Sequence, residues 1–152
     1  MTKSILPAVA LALAAMGPAA CGAESDPGAD AEAAALAEVT VTNAKLMLPA
    51  VAGNPGAVYF EVANGSDRNM VIRAVSVAGA SNAMMHTADM QEMSQVMVPP
   101  GETVKFEDGK QHVMAVDLAD TVKAGGKAEV TVTFVGGDEV KAQADVHAAG
   151  DR

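Results

Sequence analysis

The sequence predicts an all-β domain in which two sheets pack face to face. Three observations support this prediction. Apolar and polar residues alternate with a period of two in at least seven short segments, turn residues separate those segments, and no stretch has the apolar period of a convincing amphipathic helix. Alternation places every second side chain on one face of a strand, and two such faces packed together form a β-sandwich.

The first three strands are predicted by β-branched and aromatic residues. The first begins at Val39 and ends near Pro49, because proline has no amide hydrogen for a strand ladder. The second is the run AVYFEV at 57–62, which follows an Asn-Pro-Gly turn and is closed by the hairpin-type pair Asn64-Gly65. The third is the alternating run VIRAVSV at 71–77.

Four more strands are predicted in the second half, each after a turn. Pro-Pro-Gly at 99–101 precedes the first of them, Asp-Gly at 108–109 the second, and glycine pairs the last two. Their expected bounds are 103–106, 113–118, 129–135 and 139–146. Sequence pattern alone does not separate an immunoglobulin-like from a cupredoxin-like order of these strands.

Composition excludes several classes of function. The chain has 152 residues, which suits one domain, and 19 acidic against 10 basic side chains give it a net charge of −9. Nucleic acid is therefore not an expected partner, because binding a phosphate backbone needs clustered cations. One cysteine excludes an internal disulfide and a thiolate zinc site. No serine, histidine and aspartate set or acid–base carboxylate pair is evident, so an enzyme is not expected.

The first residues are typical of an export signal. Residues 1–20 combine Lys3, a short apolar run and small residues, which predicts a secretory signal peptide and a periplasmic location. Ala-Ala-Cys-Gly at 19–22 also resembles a bacterial lipoprotein cleavage site, so Cys21 is a candidate lipid anchor to the membrane. The small and acidic residues 21–37 predict a flexible linker, and the folded domain is expected at 38–147.

A window at residues 84–114 holds six of the ten methionines and two of the three histidines. His112 and Met114 stand two residues apart in a predicted strand, so they share a face. Met84 and His86 share a face as well if their segment is extended. Two residues along a strand cover about 6–7 Å, which lets both side chains bend onto one ion.

Thioether and imidazole donors together favour Cu(I). A thioether is soft and neutral, which suits Cu(I) and disfavours magnesium, calcium and zinc. The alternative is that these methionines fill an apolar core, as methionine often does. Against it, the methionines at 85–97 stand among polar residues, which is unusual for a core strand.

The ordered set of residues resembles the PCu(A)C family of periplasmic copper chaperones. The family pattern is a His, a Met about ten residues on, roughly twenty-one more residues and then His-x-Met, on a cupredoxin-like sandwich. His86 and His112-Val113-Met114 match its two ends, and VPPGETV at 98–104 resembles its Val-Pro-Ala-Gly turn. The resemblance covers about residues 38–146 and implies a cupredoxin-like sandwich with a Cu(I) site at His86, His112 and Met114.

The resemblance implies one more methionine ligand, but no methionine meets both spacings. Met97 has the expected distance from His86, and Met90 has the expected distance from His112. Met93-Ser94-Gln95-Val96 looks most like the family's Met-Arg-Pro-Val, so Met93 is the first candidate, Met90 the second and Met97 the third. A tight turn at Asp89-Met90 would place Met93 opposite His86.

The resemblance implies a Cu(I) carrier that delivers copper to respiratory oxidase copper centres. Its partner would be a copper-accepting oxidase subunit or another copper chaperone. The alternative is an exported interaction module whose methionines are core residues and which has no metal site. A blue-copper electron carrier is disfavoured, because the only cysteine lies at position 21, outside the predicted domain. His147, near the chain end, is expected to be a surface residue of a frayed terminus, outside the site.

Overall fold

The computed structural model describes residues 38–151. The predicted signal peptide, the linker 21–37 and Cys21 lie outside the described residues. Within them all regular secondary structure is β, and no helix is long and apolar enough to cross a membrane. The strands are β1 Val39–Met47, β2 Gly56–Asn64, β3 Met70–Val77, β4 Asn82–His86, β5 Glu92–Met93, β6 Val96–Val98, β7 Thr103–Phe106, β8 His112–Val116, β9 Lys127–Phe134 and β10 Glu139–His147.

The strands form one continuous hydrogen-bonded path, in the order β5-β4-β8-β2-β1-β10-β9-β3-β6, and β7 pairs with β2. Only β1 and β10 run parallel among the pairs of the described region. The path curls back, because β3 near one end contacts β4 near the other. The two halves enclose a common core, so the predicted all-β sandwich is confirmed.

The core contains all three phenylalanines of the chain, Phe60, Phe106 and Phe134, each at most 1% exposed. The rings of Phe60 and Phe106 stack with centroids 4.5 Å apart and hold β2 against β7. Leucine, isoleucine and valine side chains from the inward faces of the other strands complete the core. Burial of this apolar surface is the main stabilising term of the fold.

The seven strands predicted from period-two patterns are all present, with ends within two residues of the expected bounds. The structure adds three short strands that the pattern did not predict, namely β4, β5 and β6. They hold four methionines and a histidine in ten residues, a composition that is poor in β-branched residues. Their conformation is set by pairing with β8 and β3 rather than by local preference.

Gly56 brings β2 close to its neighbours at the end nearest to the methionine and histidine window. A Cβ atom at this position would lie 2.9 Å from the backbone oxygen of Met47 and 2.8 Å from a methyl group of Leu118. The position therefore needs glycine for close packing rather than for an unusual φ. Gly56 pairs with Ala115 of β8, and this pairing holds β8 in its place in the sheet.

Candidate metal centre

Four side chains from β4 and β8 form a two-by-two patch. His86 stands directly opposite His112 in the antiparallel ladder, and Met84 stands directly opposite Met114. Directly opposite residues point to the same face of a sheet, and so do residues two apart in one strand. We call this patch the Met–His quartet (Met84, His86, His112 and Met114). All four residues are half-buried.

The quartet lies on the face of β4 and β8 that points away from the core. The alternating residues of the same two strands point inward: Met85 is 4% exposed, and Val113 and Ala115 are fully buried. The apolar residues therefore anchor the ladder by burial, and they turn the intervening donors outward. This inside–outside alternation explains why the quartet is accessible although its strands are part of the core.

The His112 ring is oriented by its own loop. Its Nδ1 lies 2.9 Å from the backbone oxygen of Lys110. Because a carbonyl oxygen only accepts, Nδ1 carries the hydrogen and donates it. The ring is then oriented with Nε2 as its other nitrogen, which is the arrangement in which a histidine binds a metal while Nδ1 is held by a hydrogen bond.

The His86 ring has a buried nitrogen without a partner. Its Nδ1 is shielded from solvent and makes no hydrogen bond. A buried polar atom of this kind normally finds a partner, and a metal ion would provide one. The ring centroids of His86 and His112 are 6.1 Å apart, with 24° between the ring planes. Two nitrogens that share an ion at about 2 Å each lie within about 4 Å of one another, which rings at this separation reach by rotation.

Two neighbouring strands frame the quartet. Glu92 of β5 stands opposite His86, so its carboxylate is on the face of the quartet and adds negative charge beside it. On the other side, Ala57 of β2 stands opposite Met114, and its small side chain leaves space above the sheet. A cation at the quartet would therefore have the Glu92 carboxylate on one side and the small Ala57 side chain on the other.

The loop between β4 and β5 makes the tight turn that the sequence predicts. The Met90 amide donates to the Thr87 carbonyl oxygen at 3.1 Å, and the Thr87 amide donates to the Gln91 carbonyl oxygen at 2.9 Å. Met90 has a φ of 62°, a conformation uncommon for a residue other than glycine, and its side chain is 56% exposed. Met90 thus stands at the tip of the turn that follows His86.

The prediction that Met93 lies opposite His86 is wrong. Met93 pairs with Met85, and Glu92 takes the position opposite His86. Because side chains alternate along a strand, this difference of one residue places Met93 on the core side of the sheet, where it packs against the buried cluster. Met97 lies on β6, which pairs with β3, and is 57% exposed.

The third histidine lies elsewhere. His147 is the last residue of β10 and pairs with Met47 of β1, so it is part of a strand and not of a frayed end. It lines a groove of about 760 Å³ together with Tyr59 and Asp108. Burial and the Asp108 carboxylate raise the pKa of Tyr59 above its ordinary value.

The donor set of the quartet is mixed nitrogen and sulfur. Between residues 38 and 151 no group of three or more His, Cys, Asp and Glu side chains is placed to hold a metal ion. Within the quartet, the donors beside the two imidazoles are the thioethers of Met84 and Met114. The sequence prediction includes His86, His112 and Met114, which the structure brings together. It omits Met84, although the mirrored order Met-x-His at 84–86 and His-x-Met at 112–114 is visible in the sequence.

Comparison with solved structures identifies the same fold in copper-binding domains. The copper-bound PCuAC domain from PmoF2 is 26% identical, with a TM-score of 0.65, and the match covers 73% of this chain and 93% of that one. The apo PmoF2 PCuAC domain is 25% identical, with a TM-score of 0.65, covering 75% and 93%. The solution structure of CuI-DR1885 from Deinococcus radiodurans is 21% identical, with a TM-score of 0.61, and the match covers 84% of this chain and 83% of that one. At this identity the match establishes a shared fold and nothing more.

The family comparison agrees with the structural one. No curated protein matches the chain significantly. The family described as "Putative lipoprotein LpqE-like" matches residues 39–146. The structural neighbours confirm the predicted cupredoxin-like sandwich and the predicted resemblance to the PCu(A)C family. Since its family model spans well over half of the sequence, the chain belongs to the LpqE-like family.

Proposed function

We propose that this protein is a metallochaperone that binds Cu(I) outside the cytoplasm and delivers it to the copper centres of a respiratory oxidase. The observation that carries the proposal is the pairing of His86 with His112, beside the thioether of Met114, on an accessible face of the sandwich. The similarity to a PCuAC domain that has been solved with copper bound supports the choice of metal.

The donor chemistry supports Cu(I) over other ions. Imidazole nitrogen and thioether sulfur are neutral and comparatively soft, so they suit a soft monovalent ion. Zinc prefers thiolates, several imidazoles or carboxylates, and magnesium and calcium prefer oxygen. The unpartnered Nδ1 of His86 and the Nε2 of His112 are both available to such an ion.

We propose His86, His112 and Met114 as ligands, and the family resemblance adds a methionine from the loop that follows His86. Met90 is exposed at the tip of that loop. Met93, the first candidate of the sequence, packs on the core side, so it would reach His86 only if β5 shifted by one residue against β4. Cu(I) titration of the Met90→Leu and Met93→Leu variants tests these two candidates.

The accessibility of the quartet favours a copper carrier over an enzyme. Its side chains are half-buried at the surface, so an acceptor's ligands can replace them one at a time. The net charge of −9 and Glu92 beside His86 favour an acceptor with a basic surface, because complementary fields speed association. The proposed acceptor is an oxidase subunit, or another copper chaperone that passes the ion on.

The proposal includes the export route. Residues 1–20 are proposed as a signal peptide, 21–37 as a linker and 38–147 as the copper-binding domain. Cys21 is the proposed lipid anchor, and a family of lipoproteins is consistent with it. Metabolic labelling with a radioactive fatty acid should mark the wild-type protein and not the Cys21→Ser variant. Absence of label from both would contradict the lipid anchor at Cys21.

A competition titration tests copper binding. The full chain carries Cys21→Ser throughout, so that no thiol competes for the metal, and a chromophoric Cu(I) chelator reports free copper. We expect His112→Ala or Met114→Ala to lower the Cu(I) affinity tenfold or more, equivalent to about 1.4 kcal/mol, with an unchanged far-UV circular dichroism spectrum. Met97→Ala is the matched thioether control, because Met97 lies on β6 and is exposed.

The outcomes separate the proposed function from its alternative. If the protein takes up no Cu(I), it is an interaction module without a metal site. If His112→Ala and Met114→Ala both bind copper as tightly as the parent protein, these residues are not ligands. Delivery is tested by mixing the copper-loaded protein with an oxidase copper-centre domain that lacks copper. Copper that stays with the carrier after separation would contradict that acceptor.

A further inference from the structure

We infer that Met84 is the fourth ligand, so that β4 and β8 alone complete the copper site of this chain without a methionine from the loop after His86. This inference rests on the proposed function and deepens it. It differs from the ligand set implied by the family resemblance, in which the last methionine follows the first histidine. Here that methionine precedes His86 by two residues in the same strand.

The ladder register places Met84 at the right distance. Met84 is directly opposite Met114, and Cβ atoms of such pairs are about 4.5–5.5 Å apart. Met84 and His86 are two residues apart, or about 6.8 Å along the strand. The centre of the quartet is therefore roughly 4 Å from each of the four Cβ atoms. Side chains of this length and metal bonds of about 2.0–2.3 Å span that distance without a change in the backbone.

The other methionines are less well placed. Met93 packs against the core beside Met85, on the opposite face of the sheet. Met97 is exposed on β6, which pairs with β3 and not with β4 or β8. Met90 is at the exposed tip of a turn with a constrained backbone, so it would have to fold back over His86. Met84 needs only a rotation of its own side chain.

Core packing does not explain a methionine at position 84. The inward positions of β4 belong to Ala83 and Met85, of which Met85 is 4% exposed. Met84 points to the outer face between them, as Met114 does between Val113 and Ala115. Two thioethers facing each other across a ladder, directly beside two facing imidazoles, form a donor set of two sulfurs and two nitrogens. Such a set favours a soft monovalent ion.

A substitution that keeps volume tests the inference. In the full chain with Cys21→Ser, we expect Met84→Leu to lower the Cu(I) affinity at least tenfold, because leucine fills similar space but has no donor atom. Met90→Leu and Met93→Leu are the matched controls and should leave the affinity within twofold. A tenfold loss in either control, with Met84→Leu unchanged, would overturn the inference and assign the ligand to the loop.

A direct measurement on the unsubstituted ligand set makes the test independent of how Met84→Leu folds. With methionines labelled by ¹³C at the methyl group, Cu(I) should shift the Met84 and Met114 resonances and leave that of Met93 in place. X-ray absorption at copper should count two sulfurs, and one in Met84→Leu. Copper uptake with an unmoved Met84 resonance would overturn this inference alone. Failure to take up Cu(I) at all would overturn the proposed function as well.

Discussion

The buried side chain of Asn64 offers a sharp test of how the sandwich is held together. Asn64 ends β2 and is only 1% exposed. Its Nδ2 donates to the backbone oxygens of Arg68 at 2.7 Å and Val98 at 2.9 Å. Its Oδ1 accepts from the Ser66 amide at 3.0 Å and the Ser66 hydroxyl at 2.6 Å. One side chain thus joins β2 to β6 and to the turn before β3.

The expected cost of Asn64→Ala follows from these four hydrogen bonds. Each contributes about 1 kcal/mol net, and a buried partner left unpaired costs more. The Arg68 oxygen is the exception, because the Ser66 hydroxyl is 3.3 Å from it and remains as a donor. Counting the other three bonds gives a loss of about 3 kcal/mol in the free energy of unfolding. A domain of this size unfolds with a urea slope of about 1–3 kcal/mol/M, so the midpoint should fall by roughly 1–3 M.

Urea unfolding followed by far-UV circular dichroism measures this loss, and Asn82→Ala is the control. Asn82 is exposed, and its side chain bonds only to the next backbone amide, so its replacement should cost less than about 0.5 kcal/mol. A loss below about 1 kcal/mol for Asn64→Ala would refute the reasoning. Asn64 lies at the far end of β2 from Ala57, roughly 23 Å along the strand, so Cu(I) affinity should not change.

Two further predictions concern titrating groups. Tyr59 is the only tyrosine, so tyrosinate absorbance reports its pKa directly. Burial and then the Asp108 carboxylate raise that pKa, so Asp108→Asn should lower it while leaving it above the ordinary value, and an unchanged midpoint would contradict this cause. Asp145 has a lowered pKa through its hydrogen bond with Lys127 and the Lys127 charge. A lowered carboxyl pKa stabilises the fold above the unfolded-state pKa, and this contribution is lost as the pH falls through the folded-state value. Lys127→Met should therefore lower the urea midpoint slightly at neutral pH and by less in strong acid. If the midpoint fell equally at the two pH values, the ion pair would not be the cause of the change.

The strands that the sequence predicts are those in which local preference and burial agree. The run at 57–62 alternates, carries β-branched and aromatic residues, and becomes β2 with inward residues fully buried. The short strands β4 and β5 lack this agreement, and β6, although it is Val-Met-Val, has only three residues. Methionine, histidine and asparagine have no strong preference for extended backbone, so pairing with neighbours distant in sequence decides their conformation.

The same limit applies to the site. His86, His112 and Met114 could be predicted because their spacing resembles a known pattern, and the structure places them together. The position of Met93 could not be predicted, because it depends on the register between β4 and β5 after a turn of uncertain length. With a period of two, an error of one residue moves a side chain from one face of the sheet to the other.

The register that creates the quartet is fixed by the buried apolar residues of β4 and β8 and not by the donor side chains. In an antiparallel ladder, Met-x-His on one strand meets His-x-Met on the other with like opposite like, but only at one register. A slip of β4 by one residue would turn His86 inward, away from His112, and would expose Met85, which is 4% exposed. The loss of that apolar burial, at about 1.5–3 kcal/mol for each large side chain, opposes the slip.

At the end of the ladder distant from the histidines, the Ser81 amide donates to the Val116 backbone oxygen at 3.0 Å, and the Ser81 hydroxyl lies 3.0 Å from a carboxylate oxygen of Asp117. These bonds hold the strand start where the apolar residues already favour it. The donor atoms themselves contribute little to the choice of register, because half-buried methionine and histidine gain less from burial than the core residues beneath them. The arrangement of the Met–His quartet is therefore set by the core, and Val113→Ala should lower the free energy of unfolding more than it changes the Cu(I) affinity.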